Sequence, residues 1–491
     1  VKIQSEIASI LKPVFALLQE KRIKAYLVGG FVRDFLLARP TADIDLAIDF
    51  EPAGIGPLLA ESLQGKYLCL DELNRISRVV VPVREDSSRS WYVDLSAIAG
   101  GDLLADLSRR DFTFNSMAID LEGFLRSSRK AAVIDPFNGR KALEAKVVEA
   151  LNSQVFQSDP ARLLRSMRFA AELGFSIGVE TESWIRRDSG LASDVAGERN
   201  REELLRILES ARAGGVARYM DRIGLLTALI PELESARGVA QPKEHHWDVL
   251  EHSLQAVQAA EAVLHQGAWP FVKASWLEDL PWSVELEKHF GSVVGFSSTH
   301  RSLLKLAALL HDVAKPQTKI QLENRTRFFG HDEQGAAATA AILERLRFSR
   351  REINLVELMV RHHMRPTQMS NAGRPTPRAI YRYLRDTGEA ALDILFLSLA
   401  DHLAARGPDL ELADWEWHLQ QTSFVLRDWQ ARKQTPEPLK RLLDGHDLMR
   451  EFALPPGPRL REILEAIQEA QAVGEISTRA EALSYVKNRL L

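Results

Sequence analysis

Two carboxylates spaced i, i+2, Asp43 and Asp45, stand in the run DIDLAI, which alternates like a β-strand. Successive strand residues point to opposite faces, so the two acids share one face and Ile44 points away. Hard oxygen donors fixed in this way suit Mg²⁺, which takes few carboxylates and keeps positions for triphosphate oxygens. A metal held there activates an attacking hydroxyl and stabilises a leaving pyrophosphate. Just upstream, Gly29 and Gly30 follow the apolar Tyr26-Leu27-Val28 and precede a helix predicted over Phe31 to Ala38. Glycines admit close backbone approach, and a helix start offers free N–H groups to a triphosphate. Arg33 adds a fixed cation there, with Asp34 orienting it or capping the turn. A third acid, Asp94, on the strand-like Trp91–Leu95, either completes the metal site or simply ends a strand.

Arg109 and Arg110 are followed by Asp111, Phe112, Phe114 and Asn115. Guanidinium groups suit phosphates, and a carboxylate with an amide suits sugar hydroxyls. The plainer alternative is a helix entry capped by Asp111 with both phenylalanines packed inside. Further on, Asp159 is predicted as a helix N-cap with Pro160 at the first helical position. Arg162, Arg165 and Arg168 then recur at i+3 spacing along one flank. A carboxylate and a guanidinium at i, i+3 present paired acceptors and donors suited to a base edge. The C-terminal half holds a second constellation in the order His252, His311-Asp312, His331, His362-His363, Asp401. Imidazoles with carboxylates suit a divalent transition metal or Mg²⁺, and Lys315 follows the His-Asp pair where a phosphate would bind.

The elements that must position these groups change character along the chain. An amphipathic helix is predicted over residues 1–24, then short strands at Ala25–Val28, Ile44–Ile48, Tyr67–Cys69, Val79–Val83 and Trp91–Leu95. From about 141 the pattern is almost wholly helical, except for a hairpin-like alternation over Thr318–Phe329 around Glu323-Asn324. Residues 266–300, with Trp269, Trp276 and Trp282, read as an insertion whose aromatics pack, and helices after 411 show no chemistry. At 491 residues, two to four domains are expected. No apolar run reaches the length of a membrane span, and the single Cys69 excludes an internal disulfide and a multi-thiolate zinc site. A cytoplasmic protein is expected. Net charge is −4, and Pro160–Arg222 carries eleven Arg against ten acids, so any RNA site must come from the placement of charge.

LVGGFVRD, DIDLAI, RRDFTFNSMAID, IDPFNGRKAL and SDPARLLRSMRFA, in this order, resemble the bacterial class of tRNA nucleotidyltransferases (CCA-adding enzymes) and their relatives, the bacterial poly(A) polymerases. The resemblance covers residues 20 to about 230. It implies an α+β fold with a small mixed-sheet nucleotidyltransferase head over 1–140 and a helical neck and body over 141–240. A helical metal-binding domain of the HD phosphohydrolase type is expected over 241–410, and a helical tail over 411–491. By that resemblance Asp43 and Asp45 would be catalytic and hold Mg²⁺, and Asp94 joins them as a catalytic candidate by its strand position. Gly29, Gly30, Arg33, Arg110, Asp111, Asn115, Asp159, Arg162, Arg165 and Arg168 would bind the nucleotide, Asp159 and Arg162 selecting C and A. Asp135 and Gly139 would shape the hinge between head and neck, and Arg199 belongs to the last neck motif.

Two departures stand out. The family usually has Glu where this chain has Ser158, and only LSAIAGGDLLADLS separates the Asp94 strand from Arg109. Full CCA-adding relatives usually carry a longer flexible segment there, which relatives adding only CC tend to lack. Both full CCA and CC-only addition therefore stay open, with A-addition or poly(A) synthesis as an alternative. The order H…HD…H…HH…D resembles HD phosphohydrolases, implying His252, His311, Asp312 and Asp401 as ligands, with His331 and His362 or His363 for a second metal or a phosphate. Implied partners are the tRNA 3′ acceptor end, CTP, ATP and, for a CC-adder, a separate A-adding enzyme. The rival is an HD phosphohydrolase whose head only binds RNA.

Overall fold

The computed structural model describes residues 2–72, 75–83, 86–128, 130–323, 325–370, 373–434 and 441–490. They form two compact units, Val1–Asp194 and Val195–Leu491.

The first unit is built on a seven-stranded sheet: β1 (Ala25–Val28), β2 (Asp43–Ile48), β3 (Lys66–Asp71), β4 (Ile76–Val83), β5 (Asp86–Ala97), β6 (Ala118–Asp120) and β7 (Val133–Ile134). Their order is β3-β4-β5-β2-β1-β6-β7, and within this sheet β2–β5 is the one parallel pairing among the described strands. On β2, Ile44, Leu46 and Ile48 are buried while Asp43 is exposed. Burying three such side chains contributes about 1.5–3 kcal/mol each. A one-residue slip would bury the acids instead, so the apolar face fixes where Asp43 and Asp45 point.

The helix after β1 spans Gly29–Leu36, starting at the first glycine and not at Phe31. Its Phe31 and Phe35 pack with Phe124 at ring separations of 5.8 and 5.1 Å. Asp135 caps the helix Gly139–Ala145 through the N–H groups of Gly139 and Arg140, at 2.7 and 3.0 Å. The helical region past 141 also contains a two-residue parallel pair, β8 (Val147–Val148) with β9 (Ser176–Ile177), which its helical pattern did not suggest.

In the second unit, the predicted hairpin forms as β10 (Lys319–Leu322) and β11 (Arg325–Phe328), though its expected turn residue Asn324 lies outside the described residues. Of the insertion tryptophans, Trp269 is 2% exposed. Trp282 stacks on Phe290 at 5.8 Å, and the Trp276 carbonyl accepts from Trp415 Nε1 at 2.7 Å. Trp269 and Trp282 serve packing. Residues 443–486 close a small apolar core of their own around Leu448, Ile463, Ile467 and Val486. Among the described residues, no helix is long and apolar enough to cross a membrane.

Candidate active site and metal centre

In the first unit, the register of β2 against β5 sets Asp45 beside Asp94 and Asp43 beside Tyr92. Asp45 Oδ2 accepts the Phe31 N–H at 3.1 Å, so this carboxylate sits on the first turn of the Gly29–Leu36 helix. Gly29 has φ +62, and a Cβ there would stand 3.0 Å from Arg110 Nη1 and 3.2 Å from Asp45 Oδ2; at Gly30 it would stand 3.2 Å from the same oxygen. Glycine thus lets the backbone touch the acid. Burial pushes the Asp45 carboxyl above its ordinary value and the Asp94 and Asp43 charges add to this, outweighing the Phe31 N–H and Arg110. A crowded, half-buried group of anions is what a divalent cation relieves.

A hydrogen-bonded chain lies beside the acids. Arg33 pairs with Asp34 and donates to Asn115 Oδ1 at 3.0 Å, and Asn115 Nδ2 donates to Asp111 Oδ1 at 2.9 Å. Asp111 Oδ1 also accepts the Phe112 N–H at 2.8 Å, and its Oδ2 lies 3.3 Å from Arg165. Burial opposes the charge on Asp111, yet Arg165, Asn115 and the Phe112 N–H overcome it and hold the carboxyl below its usual range. Phe112 and Phe114 pack against Phe169 at 5.5 and 5.2 Å, binding this segment to the helix Arg162–Leu173. Arg162 donates to the Arg109 carbonyl at 3.2 Å, and its Nε stands 3.8 Å from Asp159 Oδ2. The resulting cavity is lined by Gly29, Gly30, Asp45, Asp94, Arg110, Asp111, Asn115, Arg162 and Arg165 and measures about 580 Å³, the size of a nucleotide pocket.

In the second unit, five helices bring imidazoles and carboxylates to one point. His252 comes from Val249–Val263, His311 and Asp312 follow His300–Leu310, and His331 begins His331–Arg345. His363 follows Arg350–His362, and Asp401 lies on Ala391–Arg406. Capping fixes their ends: Asp248 caps the first, and Thr299 and Ser349 head capping boxes. His252 Nε2 stands 3.1 Å from His311 Nε2, 3.3 Å from Asp312 Oδ2 and 3.1 Å from Asp401 Oδ1. Across Asp312, its Oδ1 faces His331 Nε2 at 3.5 Å and His363 Nε2 at 3.9 Å.

The Nδ1 atoms of His311, His331 and His363 meet the carbonyls of Ala308, Phe328 and Val360 at 2.9, 2.7 and 2.7 Å. That contact fixes each ring with Nε2 facing inward, the arrangement of a metal ligand. His331 Nε2 is buried without a hydrogen bond among the described residues. Burial, with His311 alongside, drives His363 down to about 4, so its ring is neutral as a ligand must be. Burial also opposes charge on His311, but Asp312 and Asp401 lift it to about 10; a proton there balances the acids as a cation would. Donors of this kind around a shared Asp312 fit one or two divalent metals. Lys315 Nζ lies 2.6 Å from Asp312 Oδ2, beside a cavity of about 320 Å³.

Family models match the poly A polymerase head domain over residues 25–149, the model described as "Probable RNA and SrmB- binding site of polymerase A" over 174–237, and the HD domain over 249–406. An A-adding tRNA nucleotidyltransferase of Deinococcus radiodurans is 33% identical over 94% of this chain and 95% of its own length. The chain belongs to the tRNA nucleotidyltransferase family. A CC-adding tRNA nucleotidyltransferase of Thermus thermophilus is 30% identical over 94% of this chain and 93% of its own. Among solved structures, a Thermotoga maritima CCA-adding enzyme complexed with tRNA shares the fold with a TM-score of 0.61 at 19% identity, covering 100% of this chain and 98% of that one.

Against this family frame, several sequence expectations fall differently in the structure. Arg33 does not line the nucleotide cavity; it braces Asn115, with its guanidinium 5.0 Å from the Phe169 ring. Arg168 is buried, turned onto Phe169 at 4.3 Å and toward Glu172 at 3.3 Å. Asp159 is not the N-cap of the Arg162 helix. It ends the short helix Val155–Ser158 in an extended conformation, as a residue before proline prefers, and accepts the Ala161 N–H at 3.3 Å. Ser158 Oγ reaches Arg162 at only 3.5 Å. His362 stays outside the metal cluster, where burial and Arg365 lower its pKa; His363 is the inward member of that pair.

Three residues escaped the sequence argument. Arg78, across from Asp94 in the β4–β5 register, donates to both its oxygens at 2.7 Å. Asp106 holds Arg110 at 3.0 Å, an i, i+4 pairing that the sequence does display. His245 lines the HD cavity, where burial and Lys315 lower it to about 3; the His245-His246 run was its signal.

Proposed function

We propose that this chain adds CMP, without a nucleic-acid template, from CTP to the 3′ end of tRNA. The observation that carries this is the convergence of the Asp43/Asp45 strand, the Gly29–Gly30 helix start and the side chains of Arg110, Asp111, Asn115 and Arg165 on one nucleotide-sized cavity. Asp43 and Asp45 would hold Mg²⁺, which when bound activates the terminal 3′ hydroxyl and stabilises departing pyrophosphate. Arg110, fixed by Asp106, meets phosphate charge, and the backbone at Gly29 and Gly30 approaches the triphosphate. Arg162 and Asp159 present donors and acceptors to the base. Positioning and fixed charge supply most of the rate. The short run from Asp94 to Arg109, filled by the end of β5, a turn and the helix Leu103–Ser108, favours a stop after CC, with a separate enzyme adding A.

The division into head (1–140), neck and body (141–240), HD region (241–410) and tail (411–491) belongs to the same proposal. His252, His311, Asp312 and Asp401 would hold one divalent metal, and His331 and His363 a second sharing Asp312. With Lys315 beside them they suit hydrolysis of a terminal phosphate: water adds across a P–O ester bond, opening a 2′,3′-cyclic phosphate, and a second hydrolysis releases phosphate to expose the hydroxyl. The rival, an HD phosphohydrolase with a head that only binds RNA, is tested by two variants. Asp43→Ala should remove incorporation and spare hydrolysis, and His311→Ala/Asp312→Ala should do the reverse. Incorporation by Asp43→Ala at the wild-type rate would overturn the proposal.

A further inference from the structure

The β10–β11 hairpin is the one feature marked in the sequence that neither activity absorbs. Cross-strand partners lie on the same face of an antiparallel pair. The register Ile320↔Arg327 and Leu322↔Arg325 therefore gives one face of alternating apolar and cationic side chains. Ile320 and Leu322 are 41% and 50% exposed, and the adjoining Phe329 is 66% exposed. Lys319, Arg325 and Arg327 have no acidic partner at ion-pair distance among the described residues. Between Lys315 and Phe329 the sequence carries four basic residues against Glu323 alone. An isolated two-stranded hairpin is marginal in water, so this exposed mixed face needs a reason.

The opposite face leads to the metal centre. Thr326 and Phe328 of this face line the HD cavity, Arg327 reaches its rim from the first face, and Lys315 Nζ lies 5.5 Å from the Phe328 ring. The Phe328 carbonyl meets His331 Nδ1 at 2.7 Å, so the end of β11 also orients a metal-ligating imidazole. Unpaired cations beside an exposed aromatic are the combination that grips single-stranded nucleic acid, cations on phosphates and rings on bases.

We infer that the β10–β11 hairpin is a docking element for single-stranded RNA whose phosphate-bearing 3′ end enters the HD cavity. Arg325 and Arg327 take backbone phosphates, Phe329 stacks on a base, and the terminal phosphate passes Thr326 and Phe328 toward Asp312. This rests on the phosphohydrolase assignment of the HD cavity and adds how a nucleic-acid substrate is preferred there over a small ester.

The test compares two substrates on the full chain loaded with divalent metal: an RNA oligonucleotide of tRNA acceptor sequence ending in a 2′,3′-cyclic phosphate, and bis(p-nitrophenyl) phosphate. In Arg325→Glu/Phe329→Ala, kcat/KM for the RNA should fall at least about tenfold, mostly through KM, because one stacked base and one phosphate contact are lost. Hydrolysis of the small diester should stay within twofold of wild type. Equal activity of variant and wild type on the RNA overturns the docking role. Parallel loss on both substrates also overturns it, since the hairpin would then only shape the cavity. Failure of the wild-type chain on both substrates instead overturns the phosphohydrolase assignment, and the docking role with it.

Discussion

Replacing Gly139 by alanine probes how tightly the nucleotide site is built. A Cβ at Gly139 would lie 2.4 Å from the Thr113 carbonyl oxygen and 2.9 Å from Met117 Cγ. Ordinary contact begins near 3.4 Å, so the helix Gly139–Ala145 and the turn Thr113–Asn115 must separate by about 1 Å. That turn carries Asn115, which links Arg33 to Asp111. Overpacking of this kind costs about 1–3 kcal/mol of stability, and a 1 Å displacement of a positioning group costs up to about 100-fold in rate. Gly139→Ala should therefore lower kcat/KM for CMP incorporation by about 10- to 100-fold, measured with labelled CTP on tRNA lacking its CCA end. Gly190→Ala is the control, because a Cβ there meets no atom within 4 Å. A Gly139→Ala enzyme with wild-type kcat and KM would refute the claim that the Asp111–Asn115 geometry matters.

Further outcomes follow from the same contacts. Asp43→Ala should cut incorporation by at least about 1,000-fold with an unchanged melting temperature, because Asp43 is exposed and its loss opens no cavity. His311→Ala/Asp312→Ala should lose the tightly bound divalent metal on dialysis, as read by elemental analysis, while CMP incorporation continues. Arg162→Met should reduce discrimination between CTP and other triphosphates more than it reduces overall rate, seen in competition between labelled nucleotides. Burial disfavours the charged form of His300, but its bond to Asp393 at 3.0 Å wins and raises its pKa above the ordinary value. A raised folded value stabilises fully below about pH 6.5 and is lost as pH rises through it. The melting temperature of the second unit should thus fall as pH rises above about 6.5, and Asp393→Asn should flatten that slope.

The sequence displayed most of the first site because strand alternation and glycine placement are local. The alternation of DIDLAI set Ile44, Leu46 and Ile48 on one buried face and the acids on the other, and Gly29 was needed where backbone meets carboxylate. Tertiary pairing was not legible. Arg78 reaches Asp94 only through the β4–β5 register, and Arg33 and Arg168, which read as nucleotide-binding, are diverted onto Asn115, Phe169 and Glu172. The extended conformation before Pro160 was predictable, yet the N-cap pattern at Asp159 masked it. In the second unit the order of His and Asp gave the cluster, but adjacent histidines look alike in a sequence. The inward turn of His363 is decided by its Nδ1 meeting the Val360 carbonyl.

The most direct measurement is incorporation on three tRNAs, ending before CCA, after C and after CC, each with CTP, ATP or both. Addition of two CMP residues to the first, one to the second, and no AMP to the third is the predicted result. AMP addition to the CC-ended tRNA, with or without use of CTP on the others, would contradict the CC assignment. No incorporation on any of the three would contradict nucleotidyl transfer by the Asp43/Asp45 site itself.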